Sequence, residues 1–366
     1  MPAVELAILG LERAGKTSLF NAVTGGDLPT GGYAPGADPH VGVAHVPDDR
    51  LDRLCELFRS RRRTAAEIRW IDYPVSAFGA EGPGSRFLQQ LGRADALVHV
   101  TRAFQSGSVP HPHGSVDPDR DIEALQLELA LADLDLIERR LARIDAEARS
   151  IRAAERGRLG RDRDLLVRLR APLESGRALR ALEFDEPSRR DLAAYPFLTR
   201  LPVLLVVNIS EADLPRAREV EREIAGRHGG PGVAVAALCA SLEAELAQLD
   251  PREAEAMRAD LGVAPESPAG RAVSEAYALL GLHSFLTASE DECRAWALPR
   301  GATALEAAGK IHSDMERGFI RAEVARWEEL VAGGSFAELR RRGRLRTEGK
   351  SYVVQDGDVL NILFNL

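Results

Sequence analysis

Residues 10–17 read Gly-Leu-Glu-Arg-Ala-Gly-Lys-Thr, a glycine, four residues, and then Gly-Lys-Thr. That spacing suits the binding of a phosphate chain. Two glycines let the backbone curl so that successive N–H groups point inward, a lysine reaches the β/γ-phosphates, and a threonine hydroxyl ligates Mg²⁺. The apolar run Val4–Leu9 before it reads as a strand and Ser18–Val23 after it as the start of a helix, whose N-terminus adds partial positive charge. Glu12, Arg13, Ala14, Gly15, Lys16, Thr17 and Ser18 are therefore the expected phosphate-binding set, with Lys16 also assisting catalysis. The competing reading, a glycine-rich turn with a chance lysine, leaves four fixed positions and their flanks unexplained. A second magnesium tether is expected at Asp72, which closes the strand-like run Glu67–Asp72. Against it stands a strand-terminal aspartate of no special role.

A base reader should follow on another strand. Guanine-selective proteins of this kind carry Asn-Lys-x-Asp, whose aspartate accepts from guanine N1–H and the 2-amino group. Here the strand Val203–Asn208 runs into Ile209-Ser210-Glu211. Adenine has an N1 acceptor and no 2-amino group, so the altered reader, Ile209 and Glu211 after a retained Asn208 that helps hold the base, predicts adenine over guanine. Ser241 and Leu242, in Cys239-Ala240-Ser241-Leu242-Glu243, fall where a loop backs the base.

These residues need elements to hold them. Strand-like runs at Val4–Leu9, Glu67–Asp72, Ala96–Thr101 and Val203–Asn208 alternate with helical stretches, which predicts an α/β fold with a parallel sheet. From Ile122 apolar residues recur at Leu125, Leu129, Ala132 and Leu136, then one position over at Ile137, Leu141, Ile144, Ala148 and Ile151, as in one long amphipathic helix. Gly157 and Gly160 mark a turn, and Leu165, Leu166, Leu169 and Leu173 a returning helix, giving an inserted α-helical coiled-coil hairpin. Beyond Leu280, short strand-like runs surround a helical Thr303–His312, and Val359–Phe364 reads as a closing strand, a small α+β module. The expected division is a P-loop NTPase domain over 1–121 and 200–280, the hairpin over 122–199, and the C-terminal module over 281–366.

The chain has 366 residues, 45% hydrophobic and 28% charged, as a globular protein has. No apolar run approaches a membrane span, and the first residues lack the pattern of a signal peptide. Cys55, Cys239 and Cys293 form neither a metal spacing nor a disulfide framework, which predicts buried thiols and a cytoplasmic protein. The net charge of −8 argues against wholesale coating of nucleic acid, yet residues 139–170 hold eleven arginines against five acids. That stretch reads either as a solvated helical surface or as a contact for RNA phosphates, and Arg340-Arg341-Arg342-Gly343-Arg344-Leu345-Arg346 poses the same choice.

Taken together, the chain resembles the YchF / Obg-like ATPase branch of the Obg GTPases over nearly its whole length. "GLERAGKTSLFNAVTG" is similar to that family's "GLPNVGKSTLFNALT". "VGVAHVPDDRLDRLCELF", "GSVDPDRDIEALQLELALADL" and "NISEADL" match its later segments, and "GATALEAAGKIHSDMERGFIRAEV" with "EGKSYVVQDGDVLNILFN" looks like its TGS module, a ubiquitin-like β-grasp. The resemblance implies ATP or GTP as ligand, Mg²⁺ as cofactor, a ribosome or ribosomal RNA as partner, and a loop histidine that positions water, which alignment places at His111. His113 lies two residues on, and two solvated loop histidines are the alternative. This sequence also departs from the pattern. Gly36 stands where switch I has a threonine, and Asp72-Tyr73-Pro74-Val75 replaces Asp-x-x-Gly, with Ser76 where other members of the superfamily place glutamine. Three functions remain open: slow Mg²⁺-dependent nucleotide hydrolysis, a non-hydrolysing nucleotide-dependent module with degenerate switches, or a ribosome or RNA adaptor in which nucleotide is structural.

Overall fold

The structure is a computed structural model and describes residues 4–30, 38–73, 85–148, 153–261 and 266–365. In chain order its strands are β1 (Glu5–Leu9), β2 (His40–His45), β3 (Arg62–Thr64), β4 (Glu67–Asp72), β5 (Ala96–Arg102), β6 (Val203–Asn208), β7 (Val233–Leu238), β8 (Leu282–Ala288), β9 (Glu292–Pro299), β10 (Phe319–Arg326), β11 (Arg346–Glu348) and β12 (Asp358–Phe364). They form two six-stranded sheets, ordered β2-β4-β1-β5-β6-β7 and β11-β10-β12-β8-β9-β3. The chain divides into two compact units, one of Val43–Arg69 with Ala276–Leu366, the other of Val4–Gly42 with Trp70–Glu275.

In the second of these units, β1, β5, β6 and β7 run parallel. Every residue of β5 and β6 is buried, as a strand covered on both faces requires. The ends of β1, β5, β6 and β7 therefore open on the same edge, the edge at which such sheets bind ligands. Helix α1 (Lys16–Thr24) starts directly after Gly15. Among the other helices of the chain are α2 (Asp49–Phe58), α3 (Ser85–Leu91), α4 (Pro118–Glu147) and α5 (Ala153–Glu174). Asp117 caps α4 by accepting from the Arg120 N–H, Pro118 opens it, and Asp119 and Asp121 sit in its positive first turn.

The N-terminal half of α4 gives Ile122, Leu125 and Leu129 to the core of the parallel sheet, while Ile137 and Ile144 pack with Leu165, Leu166, Leu169 and Leu173 of α5. The returning helix lies where the leucines put it, but the turn does not. Gly157 and Gly160 are inside α5, and α4 ends at Glu147 before them. A glycine in a helix costs about 1 kcal/mol, which the buried leucine row outweighs.

In the other unit, β8 and β9 form an antiparallel pair, β12 lies parallel to β8, and β10 pairs antiparallel with β12 and β11. The helix Ala304–Ile311 covers this β-grasp sheet through Ala304, Ala307 and Ala308, and a capping box of Thr303 and Glu306 starts it. β3 adds the edge strand, parallel to β9, although it lies more than two hundred residues earlier in the chain. Buried Leu51 and Leu54 seat α2, and Arg50 bridges Asp48 and Asp356 at 2.7 and 2.9 Å. Cys239 and Cys293 are buried as expected, Cys55 is half-buried, and all three are free thiols.

Candidate functional site

The phosphate loop takes the backbone shape its glycines were needed for. Gly10 and Gly15 have φ of 145° and 95°. A Cβ on Gly10 would meet the Val100 carbonyl at 2.3 Å, and one on Gly15 would meet Asn208 Nδ2 at 2.1 Å. Arg13 also adopts φ of 60°, a left-handed conformation unusual for a long side chain. Lys16 Nζ donates to the Gly10 and Leu11 carbonyls at 3.1 and 2.9 Å, folding the loop round its own ammonium. Burial pushes the Lys16 pKa down, while Asp72 and Glu12 act to raise it. Glu12 and Arg13 are exposed on the rim, Ala14 is buried beneath it, and Ser18 is half-buried in the first turn of α1.

Asp72, buried at the end of β4, accepts a 2.7 Å hydrogen bond from the Thr17 hydroxyl. The two residues expected to hold magnesium are thus side by side. A hydroxyl and one carboxylate suit Mg²⁺, which keeps waters and takes its remaining oxygens from phosphates. No cluster of three or more His, Cys, Asp or Glu side chains that could hold a metal by itself occurs among the described residues. The donor set fits magnesium held jointly with a nucleotide.

Asn208 is placed differently from a direct base reader. Its Nδ2 donates to the Ala14 carbonyl at 2.9 Å and its Oδ1 accepts from the Ala240 N–H at 3.0 Å. It braces the phosphate loop against the segment at Ala240, the one expected to back a base, and Gly15 leaves room for it. Ile209 is 2% exposed and belongs to the sheet core, so its side chain does not face a base. Glu211 is exposed at the start of a short 3₁₀ turn. Ser241 is exposed, with its hydroxyl 3.3 Å from Cys239 Sγ, whereas Leu242 is buried with Cys239 and Leu246.

His111 is buried rather than solvated. Its Nδ1 accepts from the His113 N–H at 3.1 Å, so the proton sits on Nε2, which donates to Asp121 Oδ2 at 2.9 Å. The alternative of two solvated histidines fails for His111 and holds only for His113, which is exposed. Arg120 binds the other oxygen of Asp121, completing a network at the start of α4. Two arginines reach the loop carrying His111. Arg102, buried at the end of β5, donates to the Phe104 and Val109 carbonyls at 3.1 and 2.8 Å, and burial lowers its pKa. Arg13 Nη1 reaches the Pro110 carbonyl at 3.4 Å. Neither Arg102 nor Asp121 carries a motif signal, because their work depends on where the loop folds back. Gly36, Pro74, Val75 and Ser76, on which the switch departures rest, lie outside the described residues.

Four of the hairpin arginines pair with carboxylates. Arg139 meets Asp135 at 2.8 Å, Arg140 meets Asp162 at 3.5 Å, Arg163 meets Asp145 at 3.2 Å, and Arg170 meets Glu174 at 3.3 Å. In the C-terminal module Arg341 and Arg342 share Glu338, and Arg340 pairs with Glu323. The exposed pairs among these, such as Arg139–Asp135 and Arg163–Asp145, contribute little stability and exchange readily. No helix among the described residues is long and apolar enough to cross a membrane.

A family model named YchF-GTPase_C, described as a protein of unknown function (DUF933), matches residues 282–365. The chain is 38% identical to a protein of Bacillus subtilis named "Ribosome-binding ATPase YchF", over 100% of both chains. It is 34% identical to "Obg-like ATPase 1" of rice, Oryza sativa subsp. japonica, covering 99% of this chain and 92% of that one. Among solved structures it is similar to the YchF GTPase of Schizosaccharomyces pombe, with a TM-score of 0.83, 26% identity and 99% coverage of each chain.

Proposed function

The chain belongs to the YchF family, and from that premise we propose that it is a cytoplasmic, ribosome-associated protein that binds a purine nucleoside triphosphate with Mg²⁺ and hydrolyses it slowly. The observation that carries the reading is the Thr17–Asp72 pair at 2.7 Å beside a fully formed phosphate loop. Gly10 to Thr17 hold the phosphates, Lys16 leaves its two loop carbonyls for the β/γ-phosphates, and Thr17 and Asp72 tether the metal. Magnesium, when bound, would neutralise charge on the phosphate oxygens. Asn208 fixes the spacing between the phosphate loop and the base-side segment. Adenine preference rests on Glu211 alone, since Ile209 belongs to the core.

His111 is the candidate water-positioning group, and its two committed nitrogens describe a resting arrangement. To orient water its Nε2–H must leave Asp121, a step that slows turnover. The same lock is the one observation favouring a non-hydrolysing module. Ribosome association is supported by the names of the relatives and by the exposed arginines of the hairpin, whose carboxylate partners would give way to RNA phosphates. Single-turnover phosphate release from purified protein tests the enzyme reading. Wild type is expected to release phosphate only with Mg²⁺, and Lys16→Ala to slow release by roughly 100-fold or more. Equal rates in the two proteins would refute it.

A further inference from the structure

Arg13 occupies the fourth position of the phosphate loop, where the quoted family pattern has asparagine. It is held at φ of 60°, a conformation that costs a long side chain about 1 kcal/mol and that asparagine adopts more readily. Strain of this kind persists where the surrounding structure fixes it, often at a functional site. The side chain is exposed and has no carboxylate partner among the described residues. Its hydrogen bond to the Pro110 carbonyl, at 3.4 Å, is long and therefore weak. A guanidinium so placed has little to lose by moving to a better acceptor.

The surroundings favour an anion. Arg13 acts on Arg102 as a like charge, and Arg102 is itself buried, with Nη1 lacking a hydrogen-bond partner. Lys16, at the start of α1, adds a third cation, on which Asp72 and Glu12 act as opposite charges. Arg13 and Lys16 thus both belong to the phosphate loop, and Arg102 holds the Val109 carbonyl next to the Pro110 carbonyl that Arg13 reaches.

We infer that Arg13 is a built-in arginine finger: its guanidinium binds the β/γ-phosphates of the triphosphate and neutralises the charge that develops as the terminal phosphoryl group departs. The inference rests on the nucleotide-binding reading above and adds a catalytic residue to it. In the reaction water adds to the γ-phosphorus, the bond from that phosphorus to the β–γ bridging oxygen breaks, and the products are the diphosphate, inorganic phosphate and a proton. Arginine stays protonated throughout, so it serves by charge and hydrogen bonding rather than by proton transfer. Supplied from the same chain, it requires no activating partner for this charge.

The test compares full-length wild type with Arg13→Asn and Arg13→Lys. Asparagine suits the left-handed backbone, so a lost function cannot be assigned to a distorted loop, and thermal melting checks the fold of both variants. Two quantities are read with Mg²⁺: single-turnover phosphate release from ATP, and the affinity ratio of a non-hydrolysable ATP analogue to ADP. Arg13→Asn is expected to slow release roughly 1,000-fold or more and to lower the affinity ratio about tenfold, with millimolar guanidinium restoring part of the rate. Arg13→Lys should recover part of the affinity ratio and less of the rate, because an ammonium cannot bind two oxygens in a fork. An unchanged ratio and rate in Arg13→Asn would overturn the assignment while wild-type turnover left the hydrolase reading intact. If wild type released no phosphate, the hydrolase reading would fail and the arginine-finger assignment with it, whereas a ratio lowered in Arg13→Asn would still locate Arg13 on the terminal phosphate.

Discussion

Gly15 and Asn208 depend on each other. The glycine must lack a Cβ because the amide of Asn208 fills the space, and that amide ties Ala14 to Ala240. Asn208→Ala therefore removes two hydrogen bonds in a buried place and leaves the Ala14 carbonyl and Ala240 N–H without those partners. The expected cost is about 1–3 kcal/mol, read in calorimetry as roughly 10- to 100-fold weaker binding of both ATP and GTP. A loss confined to one base would mean that Asn208 reads the base directly instead. The loop octet and Asp72 were legible from type and spacing, because their chemistry is local. The orientation of Ile209 was not, since strand alternation decides which neighbour of Asn208 faces the core, and the partner of His111 became visible only once the loop folded onto α4.

The elements show where periodicity suffices. Buried strands β1, β4, β5 and β6 and the apolar row of α4 announce themselves in the sequence, as does the returning leucine row of α5. β2 and β7 do not. β2 is mostly exposed, and β7 reads Val-Ala-Val-Ala-Ala-Leu, whose alanines have little strand preference. Between α4 and the sheet lies a small cavity of about 10 Å³, lined by His99, Leu9, Leu97, Leu125, Gln126 and Arg180. His99 pairs in register with Leu9 and Leu205, and its Nε2 has no hydrogen-bond partner. Burial, with Lys16 and His228 adding to it, pushes its pKa down to about 3. The folded protein thus keeps His99 neutral while the unfolded chain protonates it below its ordinary value near 6.5. Its contribution to stability is full above that value and is lost as pH falls through it toward about 3. From about pH 7.5 to about pH 5 this amounts to about 2 kcal/mol. His99→Leu should flatten the pH dependence of denaturant-melt stability by that order. An unchanged slope would show that His99 is protonated in the folded state.

At the scale of the molecule, the segment Val43–Arg69 belongs with Ala276–Leu366, and no linear division of the chain expresses this. The sequence hides it because α2 and β3 are ordinary amphipathic and charged segments whose partners lie far along the chain. The consequence for function is covalent. The chain enters that segment just after the expected switch I and leaves it at Arg69, three residues before Asp72, the proposed metal ligand, within the continuous strand β4. Coupled binding of nucleotide and metal at the phosphate loop is tested most directly by a calorimetric titration of wild type with ATP and with GTP, each with and without Mg²⁺. Both triphosphates should bind at least about tenfold tighter with Mg²⁺, ATP more tightly than GTP, and Lys16→Ala should abolish the heat of binding. Binding that ignores Mg²⁺, or that survives Lys16→Ala unchanged, would contradict the account.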